Sequence, residues 1–421
     1  MLRVAAATLL AVVMLGATAV PATAAPAEPD DPVQEAEYWL DAYGIRDAWQ
    51  TTRGEGVTIA IIDTGIAKGP VEFQGAVAGG HDVSGIGTPD GRTPVGAVDR
   101  DHGSWVASLA ASRGTGGGAG MLGVAPEAQL LSISVGFGAS ATRPFVDQIA
   151  EAMVWAVDNG ADIINLSLTT NTPDWDTSWD DAFLYAFDHD VVVVVAAGNR
   201  GNGTTRVGAP ATIPGVLTVA GVDRSGRASV EASTQGITLG VAAPSEELIG
   251  VSPDGRIVQW RGTSGAAPIV AGIAALVRAA HPDLDAGNVI NRIEKTARLT
   301  PGQSPVLYGS GLVDAARAVS AAVPQVTANP ADELREWIRV YRRAPSEPTE
   351  QPTVAPVEVP QLPPADAVSE EASPLLPSDD TLRYGTVPLL VLTVPAILVG
   401  LGVTAAVRRI RSARSARVTS R

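Results

Sequence analysis

Short apolar runs rich in β-branched residues alternate along this chain with segments whose apolar residues recur at helical spacing. Strand-like runs cover 57–63 (VTIAIID), 129–135 (QLLSISV) and 191–195 (VVVVV). Helical segments are indicated over 144–159, after the second run, and over 180–188, before the third run. Strands this apolar are buried on both faces, as in parallel sheets covered by crossover helices. The pattern therefore predicts an α/β fold with a central, mostly parallel sheet flanked by helices.

Further segments of both kinds extend the pattern toward the C-terminus. Strand-like runs also cover 161–168, 215–221 and 237–242, and helical segments are expected over 264–280, 285–297 and 312–323. No internal repeat is visible, so the alternation predicts one large domain rather than an array.

The first 24 residues have the pattern of a secretory signal peptide. A basic residue precedes an apolar stretch over 4–20, and small residues around Ala24 form a cleavage site. The alternative, an N-terminal anchor helix, is disfavoured because the stretch is short for a membrane span and ends in proline and small residues. We therefore expect an exported protein, with 25–37 as a short N-terminal extension of the domain.

A second apolar stretch, over 386–407, contains no charged residue. It is long enough to cross a hydrocarbon core of about 30 Å as one transmembrane helix. The following residues, 408–421, include six arginines, and arginines beside a span mark the cytoplasmic side. We interpret them as an orientation signal rather than a lipid-specific site. The sequence predicts a single-pass cell-membrane protein with an extracytoplasmic domain and a basic cytoplasmic tail.

Residues 326–385 are rich in proline and in acidic side chains. Such composition makes a chain extended and semi-rigid, so we expect a linker that holds the folded domain away from the bilayer. Within it, 332–343 (DELREWIRVYRR) is compatible with a helix but has no readable role. The folded domain itself is expected over 25–325.

Cysteine usage and charge exclude several classes of function. The chain contains no cysteine, so disulfides, thiolate catalysis and zinc–thiolate sites are excluded. The formal charge is −15 even with the arginine-rich tail, which argues against nucleic acid as a partner. Hydrophobic residues make up 45% and charged residues 18%, as suits a compact α/β interior. With four histidines in the chain, the candidates for proton transfer are few.

Four polar residues stand where a parallel sheet places functional groups. Asp63 ends the first strand-like run and Asn199 follows 191–195, and open α/β sheets carry their sites at the carboxyl ends of strands. His102 and Ser264 each stand at the start of an apolar helical segment, where free amides favour developing negative charge. Singly, each has a structural alternative: such an aspartate is often a turn residue, and such a serine is often an N-cap.

Taken together and in this order, the four residues and their surroundings resemble the subtilisin-like serine proteases, or subtilases. The stretches that carry the resemblance are IAIIDTGI, DHGSWVAS, VVVAAGN and GTSGAAPIVAGIAALV. The resemblance implies a subtilisin-like three-layer fold and an endopeptidase that acts on protein or peptide substrates. Ser264 would be the nucleophile and His102 the general base, with Asp63 orienting the imidazole. Asn199 and the Ser264 amide would form the oxyanion hole.

The edges of the domain are similar to one subfamily, the mycosins. The similarity lies in 38–54, in 308–316 and in the proline-rich linker followed by a single span. Mycosins are membrane-anchored subtilases associated with type VII secretion in actinobacteria, so the resemblance implies a secretion complex and the cytoplasmic membrane as partners. Mycosins usually carry cysteines and this chain has none, so disulfide-braced loops are excluded here.

The chain departs from the usual subtilase pattern at several positions. The common His-Gly-Thr-His motif is replaced by 102–105 (HGSW), so Trp105 changes the packing behind the catalytic ring. Thr169 stands where the substrate-binding strand usually has glycine, and 25–37 is far shorter than a folded propeptide. The resemblance implies that catalysis requires no cofactor. Calcium braces many subtilases, but the sequence shows no ligand spacing for it.

Two other functions are compatible with the same sequence. The first is a catalytically silent, subtilase-like scaffold of a secretion complex, which would not react with a fluorophosphonate at Ser264. The second is a general cell-surface peptidase unconnected to type VII secretion, which the identity of neighbouring genes would distinguish.

Overall fold

The computed structural model describes residues 31–97, 99–138, 141–170, 172–203 and 206–342, which belong to one compact unit. It also describes residues 391–409 of a second unit, except 392, 394, 396 and 400. The signal peptide predicted over 1–24 and most of the predicted linker lie outside the described residues.

A sheet of seven parallel strands forms the centre of the first unit. In chain order its strands are β1 (Thr58–Asp63), β2 (Val77–Asp82), β3 (Gln129–Ser134), β4 (Ile163–Leu166), β5 (Val192–Ala196), β6 (Leu217–Val222) and β7 (Leu239–Pro244). Their order across the sheet is β2-β3-β1-β4-β5-β6-β7. Strands β1, β4 and β5 are adjacent, so the residues that follow them emerge at the same edge. The central parallel sheet predicted from the alternation is confirmed.

Helices cover the sheet. They are α1 (Pro32–Ala36), α2 (Trp39–Ala42), α3 (Ile45–Ala48), α4 (His102–Ala111), α5 (Phe145–Asp158), α6 (Ser178–Asp188), α7 (Thr263–Ala280), α8 (Ala286–Thr296), α9 (Pro305–Tyr308), α10 (Ala315–Ser320) and α11 (Pro330–Tyr341). Helices α4 and α7 pack against each other and on the central strands, while α5 and α6 form a second pair. Helix α7 is apolar around most of its circumference because it lies in the core.

Two strands outside the main sheet, β8 (Leu248–Val251) and β9 (Ile257–Trp260), form an antiparallel hairpin. Strand β8 is buried and packs against α4. Strand β9 ends three residues before α7 begins. The hairpin therefore links the helix that begins with His102 to the segment that leads into Ser264.

Helices α1 to α3 attach the N-terminal part of the chain to the domain. Trp39 and Leu40 are fully buried. The Asp31 carboxylate accepts a hydrogen bond from the Gly120 amide at 2.6 Å, and the Glu37 carboxyl accepts one from the Leu122 amide at 2.9 Å. Residues 31–37 of the extension are thus part of the packed domain.

Glu37 is expected to make stability depend on pH. Its side chain is 1% exposed, one carboxyl oxygen has no hydrogen-bond partner among the described residues, and burial raises its pKa from 4.5 to about 9. The folded state therefore holds the proton more tightly than the unfolded chain, so stability present at pH 4 is lost as pH rises toward 9. We expect Glu37→Gln to increase the unfolding free energy at pH 8 by roughly 3 to 5 kcal/mol.

Urea unfolding of both proteins at pH 4 and pH 8 measures this difference. The matched control is Glu35→Gln, two residues away and exposed, which should change neither value appreciably. Equal stabilities of wild type and Glu37→Gln at pH 8 would show that the buried carboxyl ionises without penalty.

Helix α11 lies in the segment that the sequence assigns to the linker, and it packs against α6. Its residues Ala331 and Leu334 are fully buried. Just beyond the helix, the Arg342 guanidinium lies 5.4 Å from the Trp175 ring centroid and pairs with Asp180 at 2.8 Å. Apolar contacts and a shielded ion pair hold these residues on the domain, so proline-rich composition describes the chain only after them.

In the second unit, the described residues between 391 and 409 are helical. Their large apolar side chains are exposed, including Val391, Ile397, Leu398, Val399, Leu401, Val403 and Val407. Part of the span predicted over 386–407 lies outside the described residues. Among the described residues, the helix that is long and apolar enough to cross a membrane is α7, and it is mostly buried inside the domain.

Candidate active site

The Asp63 carboxylate and the His102 imidazole are in direct contact. Nδ1 of His102 lies 2.8 Å from Oδ1 and 2.9 Å from Oδ2 of Asp63. Asp63 is fully buried, whereas the His102 side chain is 21% exposed. The Thr64 amide also donates to Oδ1 at 2.7 Å. With the carboxylate held at Nδ1, the Nε2 side of the ring is the one available to a substrate.

The pair forms because the start of α4 approaches the end of β1 very closely. A Cβ atom at Gly103 would lie 2.7 Å from the Gly65 carbonyl oxygen, so glycine is required at this contact. The Thr64 hydroxyl accepts a hydrogen bond from the Gly103 amide and donates one to the Arg100 carbonyl, both at 2.8 Å. These bonds fix the first turn of α4, and with it the His102 side chain, against Asp63.

Burial and charge act in opposite directions on the pKa of His102. Burial lowers this pKa, while the charge of Asp63, its hydrogen bond and the charge of Asp99 raise it. The net effect is a pKa above the ordinary 6.5. The ring is thus a stronger base than a free histidine, as suits a group that takes up a proton during a reaction.

Ser264 is the second residue of α7 and is held by Ser167, which directly follows β4. The Ser264 hydroxyl donates to the Ser167 carbonyl at 3.2 Å, and the Ser167 hydroxyl donates to the Ser264 carbonyl at 2.8 Å. Asn165 in turn donates to the Ser167 hydroxyl at 2.9 Å. The hydrogen bonds of the described residues do not include one between Ser264 and the His102 ring. Catalytic hydrogen bonds commonly shorten only when substrate is bound.

The Asn199 side chain is oriented by the residue that precedes Ser264. Its carbonyl oxygen accepts hydrogen bonds from the Thr263 amide at 2.8 Å and from the Thr263 hydroxyl at 3.1 Å. The Thr263 hydroxyl also accepts from the Gly198 amide at 3.0 Å. Because the oxygen is occupied, the amide nitrogen of Asn199 is the end free to donate. It stands beside the first turn of α7, where backbone amides converge.

Two tryptophans pack around the His102 ring. The Trp260 ring centroid lies 5.6 Å from that of His102 and the Trp105 centroid 6.4 Å away, both edge to face. The Trp105 indole donates to the Ser252 hydroxyl at 2.9 Å, which attaches it to the β8–β9 hairpin. Trp105, where subtilases usually have histidine, therefore packs behind the ring and leaves the Asp63 contact intact.

A cleft of about 830 Å³ opens beside these groups. The residues that line it are Thr64, Ala97, Asp99, His102, Phe137, Gly138, Ser167, Leu168, Thr169 and Asn202. Phe137, Leu168 and Ala97 give it apolar surface, while Asp99 adds a carboxylate. A cleft of this size accommodates several side chains of an extended peptide.

The described residues include no cluster of three or more carboxylate or imidazole groups placed to hold a metal ion. The groups that meet at this edge are a buried carboxylate, an imidazole, a hydroxyl at a helix start and an oriented amide. They are suited to nucleophilic attack on a carbonyl.

The structure brings the predicted residues Asp63 and His102 into contact and places Asn199 beside the segment that contains Ser264. Sequence reasoning missed the holding role of Ser167 and the packing role of Trp260. The role of Ser167 could have been predicted from the sequence, because Ser167 follows β4 at the edge where Asp63 ends β1 and Asn199 follows β5. Trp260 was not, since its approach to His102 depends on the hairpin.

A parallel α/β sheet with this set of groups at its carboxyl edge defines a serine endopeptidase of the subtilisin-like type. Comparison with known proteins agrees. The profile of the subtilase family matches residues 54–311. The chain therefore belongs to the subtilase family, and it is a serine endopeptidase.

Its relatives include mycosins and subtilisins. It is 34% identical to mycosin-4 of Mycobacterium tuberculosis over 73% of this chain and 74% of that protein. It is 35% identical to subtilisin DY of Bacillus licheniformis over 63% of this chain and 91% of that protein. Among solved structures, the MycP3 protease from the type VII (ESX-3) secretion system has 34% identity and a TM-score of 0.56, with coverage of 68% of this chain and 88% of that one.

Proposed function

We propose that this chain is a mycosin-like endopeptidase that cleaves extracytoplasmic proteins through an acyl-enzyme on Ser264. The observation that carries the proposal is the Asp63–His102 contact at 2.8 Å, at the sheet edge where Ser167 holds Ser264. A buried carboxylate on one imidazole nitrogen, with the other nitrogen facing a cleft, is the arrangement of a general base.

The reaction begins when substrate fills the cleft. The Ser264 hydroxyl leaves the Ser167 carbonyl, gives its proton to Nε2 of His102, and its oxygen bonds to the scissile carbonyl carbon. The imidazolium is stabilised by Asp63 and then protonates the leaving amine. Water then attacks the acyl carbon. His102 removes a proton from the water as the water oxygen bonds to that carbon, the C–O bond to Ser264 breaks, and His102 returns the proton to the Ser264 oxygen.

Negative charge that develops on the carbonyl oxygen is stabilised by hydrogen bonds from the Asn199 side-chain amide and the Ser264 backbone N–H. Both are fixed before the reaction, because Thr263 occupies the Asn199 oxygen and α7 fixes the amide. Loss of one such side-chain donor costs about 10²- to 10³-fold in turnover. No step needs a metal or a cofactor.

We also propose that the enzyme is tethered to the cytoplasmic membrane with its catalytic domain outside, and that it serves type VII secretion. The helical, exposed apolar residues between 391 and 407 support the tether, and the arginines from 408 onward support the orientation. Similarity to the MycP1 and MycP3 proteases, whose structures are described as parts of type VII systems, supports the link to secretion.

A membrane-impermeant fluorophosphonate tests the nucleophile and the orientation together. We expect it to label the full-length protein on intact cells, because the hydroxyl of a functional site attacks the reagent and the domain faces outward. Labelling should vanish in Ser264→Ala and in His102→Ala. The matched control is Ser178→Ala, which removes an exposed serine at the start of α6 and should keep full labelling.

Three results distinguish the alternatives. Labelling only after permeabilisation would reverse the orientation while keeping the enzyme. Absence of labelling in folded, permeabilised samples would favour a silent scaffold. Labelling that persists in Ser264→Ala would place the nucleophile elsewhere.

A further inference from the structure

We propose that Asp99 selects substrates with a lysine or arginine side chain close to the scissile bond. The proposal rests on the proposed peptidase function and adds the chemical class of the peptide that the cleft prefers. Asp99 lines the same cleft as His102 and Ser167. The two titratable groups among the lining residues are the Asp99 carboxylate and the His102 imidazole, so the fixed charge presented to a substrate is negative.

The position of Asp99 is tied to the catalytic ring. Its backbone carbonyl accepts a hydrogen bond from the His102 amide at 2.9 Å, and its φ of 56° places it in the left-handed region. Non-glycine residues adopt this conformation uncommonly, with aspartate and asparagine the most tolerant. The carboxylate is therefore presented from a defined turn at the start of α4 rather than from a freely moving loop.

Within the described parts of the chain, no basic group lies within ion-pair distance of the Asp99 carboxylate and no donor hydrogen-bonds to it. The cation next to it in sequence is engaged elsewhere, since Arg100 pairs with Asp101 at 3.6 Å. The charge of Asp99 also contributes to raising the pKa of His102, which places it within electrostatic range of the reacting groups. A substrate ammonium or guanidinium would supply the missing partner.

A peptide cation near the scissile bond would enter a cleft that also offers apolar contact. Phe137 and Leu168 line it and can pack against the methylene stem of lysine or arginine, while the head group reaches Asp99. Asp99 is exposed, so the gain is that of a solvent-accessible ion pair rather than a buried one. We expect a preference of about three- to tenfold, and it should weaken with salt.

Fluorogenic peptides provide the test. Lysine is placed in turn at each of three positions on either side of the scissile bond, and each peptide is matched by one with norleucine, which keeps the stem and removes the charge. At one position or more, wild-type kcat/KM for lysine should exceed that for norleucine by about three- to tenfold at low salt. The ratio should fall toward one in Asp99→Asn and at high salt.

The ratio of kcat/KM for the lysine peptide to that for the norleucine peptide distinguishes substrate selection by Asp99 from an effect of Asp99 on the general base His102. If Asp99 acted only through His102, Asp99→Asn would change both members of each peptide pair equally and leave the ratio intact, which would overturn the proposal. The matched control is Asp101→Asn, which removes a carboxylate two residues away that does not line the cleft; it should keep the lysine preference.

Two further outcomes are decisive. Hydrolysis of the norleucine peptides without any lysine preference refutes selection by Asp99 and leaves the peptidase standing. Failure to hydrolyse any peptide, together with no fluorophosphonate labelling at Ser264, refutes the peptidase and the selection together.

Discussion

Replacing Ser264 by alanine is expected to lower kcat by about 10⁵- to 10⁶-fold on any peptide that the wild type cleaves. The side chain supplies the only protein atom in the proposed mechanism that bonds to substrate carbon. What remains is the background set by binding and by the oxyanion donors, because neither His102 nor Asp63 accelerates attack without the hydroxyl. Single-turnover and steady-state assays with a fluorogenic peptide measure this loss.

The fold should survive this substitution. The hydroxyl makes one long hydrogen bond to the Ser167 carbonyl, while the Ser264 backbone remains bonded to the Ser167 hydroxyl. We expect the free energy of unfolding to change by about 1 kcal/mol or less. Ser178→Ala, at the start of another helix, should retain wild-type kcat. Activity of Ser264→Ala within tenfold of wild type would show that another group is the nucleophile.

The sequence predicts the sheet well because its central strands are unusually apolar. Runs such as 191–195 have no exposed face, and the structure buries β5 completely. Strand β2 was not predicted, because Val77–Asp82 lies at the edge of the sheet, is mostly half-exposed and contains Gly79 and Gly80. An edge strand lacks the apolar signal that identifies its buried neighbours.

Helices α1 to α3 were not predicted, and α11, whose segment the sequence marks as compatible with a helix, was assigned to the linker, for a related reason. Each is short or borders polar and proline-rich sequence, so its intrinsic helix signal is weak. Their stability comes from tertiary contacts, such as fully buried Trp39 and the Arg342–Asp180 pair. Contacts between residues far apart in sequence are not visible in local periodicity.

The same distinction between local sequence signals and long-range contacts applies to the candidate site. Residues that directly follow buried strands or begin apolar helices can be located from the sequence, which is why Asp63, His102 and Ser264 were predicted. Contacts that depend on three-dimensional placement were not predicted. The free carboxylate of Asp99 and the unusual setting of Glu37 become apparent only when their neighbours are known.

Asp63→Asn is expected to reduce kcat by about 10⁴-fold while leaving KM within a few-fold of wild type. Both Asp63 oxygens lie within 2.9 Å of Nδ1 of His102, so the carboxylate holds the tautomer in which Nε2 accepts a proton. An amide has one acceptor atom and one donor, and it cannot stabilise the imidazolium. Its volume matches that of aspartate, so the loss reports charge rather than packing.

The pH dependence of the residual activity distinguishes this role from a structural one. In the wild type the pKa of His102 lies above 6.5, because the charge and hydrogen bond of Asp63 outweigh burial. Catalysis needs the neutral ring, so wild-type kcat/KM should fall as pH drops through a value above 6.5. Removing the Asp63 charge leaves burial as the larger influence, which lowers the pKa and moves this acid limb to lower pH.

Asp99→Asn is the graded comparison, since it removes a more weakly acting, exposed charge. It should move the acid limb of the kcat/KM profile to lower pH by less than Asp63→Asn does, and it should retain a much larger kcat than Asp63→Asn. An acid limb in Asp63→Asn that stays at the wild-type pH, or moves upward, would mean that Asp63 does not control the protonation of His102. In that case the contact at 2.8 Å would be a packing feature, and the general base would have to be sought elsewhere in the cleft.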